Sequence, residues 1–149
     1  MKDLANNISV AQSIAPAVVT SDTNGTGVDL QFFESATVIV DTGVEGDTLS
    51  SSVKFDFILE DSDDNSSWSA VTSQLHVTDG TVDSSGIFLT LDANAETPQV
   101  TSIGYVGGKR YLRVTADATG THTNGTPMSV SIVKGHPRHN VDADSNSSY

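Results

Sequence analysis

In residues 52–60, SVKFDFILE, apolar and polar side chains alternate with Ile58 as the one exception, setting Val53, Phe55, Phe57 and Leu59 on one side and Lys54, Asp56 and Glu60 on the other. A period of two fits the pleat of a strand with one buried face, not an amphipathic helix, whose apolar positions recur every 3.6 residues. ATVIVD, GIFLTLD, KRYLRVTAD and MSVSIVK read the same way and are rich in the β-branched and aromatic residues that suit a half-buried pleated surface. Clusters of Asp, Asn, Gly and Ser separate these runs, and no segment sustains a helical period beyond a turn or two near the start. Strands without helices to cover them bury their apolar faces against a second sheet or close into a barrel. The expectation is an all-β, single-domain antiparallel β-sandwich, jelly-roll or immunoglobulin-like. An extended N-terminal arm is expected over residues 1–20, the sandwich over 21–140, and a disordered tail over 141–149.

Length supports one core, because 149 residues of which 36% are apolar can bury roughly two-thirds of the unfolded surface. The chain has no cysteine, which excludes disulfides, thiolate metal sites and a cysteine nucleophile. The start, MKDLANNISVAQSIAPAVV, has no unbroken apolar run of signal-peptide length, and nothing downstream reaches membrane-spanning length. A soluble protein made in a cytoplasm, with no membrane partner, is expected. TNGT occurs at 23–26 and again at 123–126, and Asn-Gly favours tight hairpins because both residues tolerate positive φ.

The formal charge of −12 is unevenly spread. Residues 3–96 hold sixteen acids against Lys54 alone, whereas residues 97–141 hold Lys109, Arg110, Arg113, Lys134 and Arg138 against Asp117. An acidic majority repels a phosphate backbone, so nucleic acid is not an expected partner. The basic third remains able to dock on an acidic protein surface.

EDSDDNSSWSAV, residues 60–71, carries Asp61, Asp63 and Asn65 at alternate positions, as a helical calcium loop begins. Such a loop needs Gly at its sixth position and Glu at its twelfth; counting from Asp61, these are Ser66 and Thr72. A polar turn is the favoured reading and an irregular calcium site the other. His136 and His139 stand three apart in GHPRHN, but Pro137 disfavours the helix that would bring them together on one ion. His76 and His122 sit in turn-like surroundings and are expected to be exposed. No nucleophile elbow, phosphate loop or His-Glu-x-x-His motif is present, so no enzyme activity and no cofactor are expected.

GGKRYLRV, residues 107–114, joins a Gly-Gly turn to three cations and a tyrosine. Arg and Tyr are favoured at interface cores, which makes Lys109, Arg110, Tyr111 and Arg113 candidate contact residues. The alternative is a solvated face of Tyr111, Arg113 and Thr115 over a core of Leu112, Val114 and Ala116. His136 and Arg138 join the candidates from the basic third. Ile8, Val10 and Ile14 join them from an N-terminal arm that is apolar enough to bind something.

MKDLANNISVAQSIAPAVVTSDTNGTGVDLQ, EDSDDNSSWSAV, IGYVGGKRYLRV and VKGHPRHN, in that order, resemble the small head proteins of tailed bacteriophages and prophages often encoded beside the major capsid protein. The resemblance covers most of residues 1–140 and rests on order and coverage, since its motifs are turns and strands. It implies a capsid decoration or cement protein bound outside the shell where capsomers meet, as a homo-oligomer, dimer or trimer, at local symmetry axes. Major capsid protein is the implied partner and the outer surface of the virion the implied location. Similar sequences usually have glycine where LQFFESA has Phe32, and end soon after the GHPRHN equivalent. No catalytic or ligand residue is carried over.

Two further readings compete. A carbohydrate-binding or adhesin module would need exposed aromatics arranged as a platform, for which Trp68, Tyr105 and Tyr111 are the candidates. A tail-tube or head-completion subunit would assemble into rings or tubes.

Overall fold

The fold is taken from a computed structural model that describes residues 3–138; the expected tail at 141–149 and His139 lie outside them. Eleven strands form it. In chain order they are β1 (Ile8–Val19), β2 (Thr23–Asn24), β3 (Val28–Asp29), β4 (Phe33–Thr42), β5 (Lys54–Ser62), β6 (Ser69–Ala70), β7 (Val77–Thr78), β8 (Ile87–Leu91), β9 (Gln99–Tyr105), β10 (Tyr111–Thr119) and β11 (Thr126–Pro137). Three single 3-10 turns, at Ala5–Asn7, Gln74–His76 and Asn94–Glu96, are the helical content of the described residues.

The strands build two antiparallel sheets. The first runs β1-β11-β4-β9-β7; the second runs β2-β10-β5-β6, with β3 also on β10 and β8 on β5. The alternation in the sequence sets which face turns inward. Phe55, Phe57 and Leu59 of β5 and Leu112, Val114 and Ala116 of β10 are fully buried, and they meet Val38 and Val40 of β4 and Val130 and Ile132 of β11 in one core. At about 25 cal/mol per Å² of apolar area, burying each large side chain contributes on the order of 1.5–3 kcal/mol, so these facing residues supply most of the adhesion between sheets. The result is an all-β sandwich, as the alternation requires.

The N-terminal segment is extended, but it is built into the fold and does not project from it. β1 pairs with β11 from Ile8↔Gly135 to Val19↔Thr126, with irregularities near Ile14. Ile14 and Val19 belong to the core. Ser13 ties β1 to the second sheet as well: its carbonyl accepts from the Thr26 amide at 2.7 Å and its hydroxyl accepts from the Val114 amide at 3.1 Å. Residues 1–20 showed little alternation because bulges near Ile14 twice reset the register, which switches the face each side chain takes.

Neither Asn-Gly pair makes a tight hairpin. Asn24 is a strand residue paired with Thr115, and Gly25 donates to the Val114 carbonyl at 2.9 Å. Gly125 does take positive φ, +70°, but in the crossing from β10 to β11, between the two sheets. There the Asp47 carboxylate accepts from the amides of Asn124 (3.0 Å) and Gly125 (2.7 Å), so a distant side chain holds the turn. His122 in the same crossing is buried rather than exposed. Its ring packs 4.1 Å from that of Phe55, and its Nε2 lies 3.1 Å from the Thr119 carbonyl.

Candidate protein-docking site

Three chain segments meet at one end of the sandwich: residues 30–33 leading into β4, residues 106–110 between β9 and β10, and the end of β11. Their closeness follows from the pairing, since Phe33 faces Pro137, Ala36 faces Tyr105, and Tyr111 faces Asp29. Cross-segment hydrogen bonds lock them, from the Leu30 amide to the Arg110 carbonyl at 2.8 Å and from the Arg138 amide to the Phe32 carbonyl at 2.8 Å. Between them lies an open cleft of about 530 Å³, lined by Phe32, Phe33, Lys109, Arg110 and Arg138 among others.

The middle segment is shaped by Tyr105. Its ring is buried and its hydroxyl donates to the buried Asp61 carboxylate at 2.8 Å while accepting from the Lys109 amide at 3.3 Å. Burial, and then the bond to Asp61, push the Tyr105 phenol far above its usual range, so it stays a donor at any physiological pH. A side chain at Gly107 would run into the Tyr105 ring, so the loop can fold over the tyrosine only with glycine there.

Phe32 is the unusual residue. Its φ is +72°, in the left-handed region that costs an L-residue with a bulky side chain roughly 1–2 kcal/mol. The residue is 41% exposed. A glycine would satisfy this backbone without strain. His136 also has positive φ, +53°, and its Nδ1 lies 2.7 Å from the Ser35 hydroxyl. Two strained side chains thus stand at one end of the first sheet.

The cations at this end are paired. Arg110 grips Asp29 through two nitrogens, Nε at 3.0 Å and Nη2 at 2.6 Å, and its guanidinium lies 5.0 Å from the centre of the Tyr111 ring. Burial alone would raise the Asp29 carboxyl, but hydrogen bonds from Arg110 and the Gln31 amide outweigh it and hold the group below its usual range. Lys109 pairs with Asp63 and Arg138 with Glu34, the latter at 3.5 Å. Farther along β10, Arg113 bonds Glu60 at 2.7 Å and covers the Trp68 ring at 4.4 Å. Lys134 is fully buried, 3.3 Å from the Asp29 carbonyl and 4.8 Å from the Phe33 ring centre, and burial lowers its pKa.

The structure therefore brings Lys109, Arg110, Tyr111, His136 and Arg138 to one end, and leaves Arg113 on the outer face of the second sheet. It does not bring the N-terminal candidates there as a binding arm. Ile14 is core, which removes it as a contact residue, while Val10 is exposed and Ile8 half-exposed on the edge strand. The basic third of the sequence is also no basic patch, because β10 lies beside acidic β5 and each described cation has an acidic or carbonyl partner. Phe32 was not among the candidates read from the sequence, because alternation alone could not mark it as exposed.

The polar turn at 62–67 is organised by Asp64, whose carboxylate accepts from the amides of Ser66 (2.9 Å) and Ser67 (2.7 Å). Those bonds lower its pKa strongly. Asp61 and Asp63 diverge, one to Tyr105 and the other to Lys109, and no group of three potential ligating side chains converges among the described residues. The aromatics do not form a sugar platform, since Tyr105 is buried and Trp68 lies under Arg113. No helix among the described residues is long and apolar enough to cross a membrane.

Fold and site define an antiparallel β-sandwich that gathers Phe32, Arg110, Tyr111 and Arg138 at one end. No model of a known protein family matches the chain, and no curated protein matches it. Among solved structures, the crystal structure of the SPBc2 prophage-derived protein YomS aligns over 87% of this chain and 94% of that one, with 16% identity and a TM-score of 0.38.

Proposed function

We propose that this protein is a non-enzymatic capsid decoration protein of a tailed bacteriophage, binding major capsid protein on the outer shell through the Phe32 end of the sandwich. The ordered sequence resemblance over most of residues 1–140 supports the class. The observation that carries the docking end is the strained, exposed Phe32 beside Arg110 and Arg138 over an open cleft. Backbone strain and exposed aromatic area both cost stability, and they persist where function uses them. Aromatic and arginine side chains are also the residues that carry most binding energy at interfaces.

The mechanism is mechanical. A subunit that touches two or more capsid subunits makes their separation break several contacts at once, so modest contacts add up to a substantial restraint. The protein is made in the bacterial host and ends in the virion. The surplus of acids suits an outer surface better than a DNA-filled interior.

The test is co-sedimentation of purified protein with heads stripped of it. Wild type is expected to bind, and Phe32→Asp to bind at least about tenfold more weakly with its fold intact by circular dichroism. Undiminished binding by Phe32→Asp removes this end as the docking site. Rings or tubes formed by the isolated protein, with no head binding, would favour a tail-tube role instead.

A further inference from the structure

The tetrapeptide Thr-Asx-Gly-Thr occurs three times, as TNGT at 23–26, TDGT at 78–81 and TNGT at 123–126. An Asx-Gly pair is chemically labile when free, because glycine has no side chain to shield its amide nitrogen from the Asx side chain. The fold closes two of the three. Asn24 pairs with Thr115 and its side-chain oxygen accepts from the Thr115 hydroxyl at 3.2 Å, while the buried Gly25 amide donates to the Val114 carbonyl at 2.9 Å. The buried Gly125 amide donates to the Asp47 carboxylate at 2.7 Å, and the Asn124 side-chain amide donates to the Gly46 carbonyl at 2.9 Å. In both pairs the attacking nitrogen and the group it would attack are each held by another partner.

The third pair stands open. Asp79 and Gly80 are both exposed, and among the described residues neither the Asp79 carboxylate nor the Gly80 amide has a hydrogen-bond partner. The chain is anchored on either side of them. Thr78 pairs with Gly104, and Gln74 holds the Gly80 carbonyl through Nε2 at 2.8 Å and the Val82 amide through Oε1 at 3.1 Å. The peptide between Asp79 and Gly80 is left to turn.

We infer that Asp79–Gly80 is a self-modification site at which the chain converts to an isoaspartyl linkage, and that the sheet and Asp47 protect the two Asn-Gly pairs from the equivalent reaction. The Gly80 nitrogen bonds to Cγ of the protonated Asp79 carboxyl; the amide proton and the carboxyl hydroxyl leave as water, closing a succinimide ring. Water then adds at the main-chain carbonyl carbon of Asp79, and the bond from that carbon to nitrogen breaks. The main chain now runs through Cγ, one atom longer, with no atom gained or lost overall. At an Asn-Gly pair ammonia leaves in the first step instead, so the product differs in mass. Intrinsic reactivity ranks the pairs the other way, since a neutral amide is a better target than an ionised carboxylate. Structure reverses the order. Releasing the Gly125 amide from a charged acceptor before it can attack slows that step by at least about tenfold. Releasing Gly25 requires the sheet itself to open.

Asp79→Asn makes the three tetrapeptides identical, so that only their surroundings differ. The exposed, unbonded side chain makes retention of the fold the expectation, checked by circular dichroism. Gly80 stays, because a side chain there would meet Ile103 at 3.0 Å. The full-length variant is aged in neutral buffer, folded and, in parallel, unfolded in guanidinium, and peptide mass spectrometry counts deamidation at each position. Unfolded, the three should react alike; folded, position 79 should exceed 24 and 124 by at least about tenfold. Wild type is aged in mildly acidic buffer, where a larger share of exposed carboxyls carries the proton that the first step needs. An isoaspartyl methyltransferase with a labelled methyl donor should then mark residue 79 and neither Asn24 nor Asn124. Asp47→Ala, aged folded in neutral buffer, should release Asn124 to deamidate and leave Asn24 unchanged. Equal reaction at the three positions of the folded Asp79→Asn chain, or faster reaction at 24 or 124, overturns the inference. So does folded wild type without isoaspartate at residue 79 when its unfolded control has it, and so does an Asn124 that stays intact in Asp47→Ala.

Discussion

Replacing Phe32 with glycine and, separately, with alanine isolates the strain at the docking end. Both substitutions remove the ring, so whatever its partial burial contributes drops out of the comparison between them. What remains is backbone. At φ +72° alanine keeps the steric cost of a Cβ in the left-handed region, about 1–2 kcal/mol, and glycine does not. Glycine pays instead in the unfolded state, where its extra freedom costs roughly 0.5–1 kcal/mol. The difference leaves Phe32→Gly more stable than Phe32→Ala by about 0.8 kcal/mol, the reverse of the order found in ordinary strands and helices. Urea unfolding followed by tryptophan fluorescence, with Trp68 as the probe, reads this as a higher midpoint for the glycine variant at an unchanged slope. If alanine proves as stable as glycine, position 32 is not held in the left-handed conformation and the strain argument fails. Head binding should fall in both variants equally, because both lack the ring.

Tyr105→Phe leaves the buried Asp61 carboxylate without its phenolic donor and should cost about 1–3 kcal/mol in denaturant unfolding; a loss below a few tenths would show that water replaces the hydroxyl. Asp117 lies directly across from Asp56, and burial first, then Asp22 and Asp56, raise its pKa. A carboxyl raised in the folded state costs stability when ionised and regains it as pH falls through the folded pKa. Asp117→Asn should therefore stabilise the protein by a few tenths of a kcal/mol at pH 7, with the gain shrinking toward pH 4; a constant gain across that range would point to another cause. Asp29 has the opposite sign. Its pKa is lowered in the folded state, so the stability that its bonds to Arg110 and Gln31 supply is present above the ordinary carboxylate pKa and lost as pH falls through the lowered value. Asp29→Asn should flatten acid unfolding in that range, and an unchanged acid limb would contradict it.

Much of the fold was legible because alternation is a local signal. The buried faces of β5 and β10 could be read from residues 53–59 and 112–116 alone. What could not be read depends on partners distant in the chain. The Asn-Gly pairs look like hairpins until Gly25 is seen bonding to Val114 and Gly125 to Asp47, contacts made across the sandwich. His122 has turn residues around it, and only the packing of Phe55 explains its burial. β1 was hidden by its own bulges, which move Ile14 into the core from a segment with little regular pattern.

The candidate site shows the same limit. Lys109, Arg110, Tyr111, His136 and Arg138 were identified as contact residues by type, and the fold does collect them at one end. Their charge was misjudged, because Asp29, Asp63 and Glu34 reach them from other segments. With the positive charge neutralised, Phe32 and the arginine-aromatic surface replace a basic patch as the feature a partner would meet. The side-chain periodicity that organises the core gives no weight to such a residue.

The most direct test of the account is a cryo-electron microscopy map of purified heads that carry this protein. The account predicts density for the sandwich on the outer shell between capsomers, with the Phe32 end against major capsid protein and the opposite end, where Asp47 holds the Asn124–Gly125 turn, facing solvent. Density in the tail or at the portal, or a sandwich docked with its Phe32 end in solvent, would contradict it.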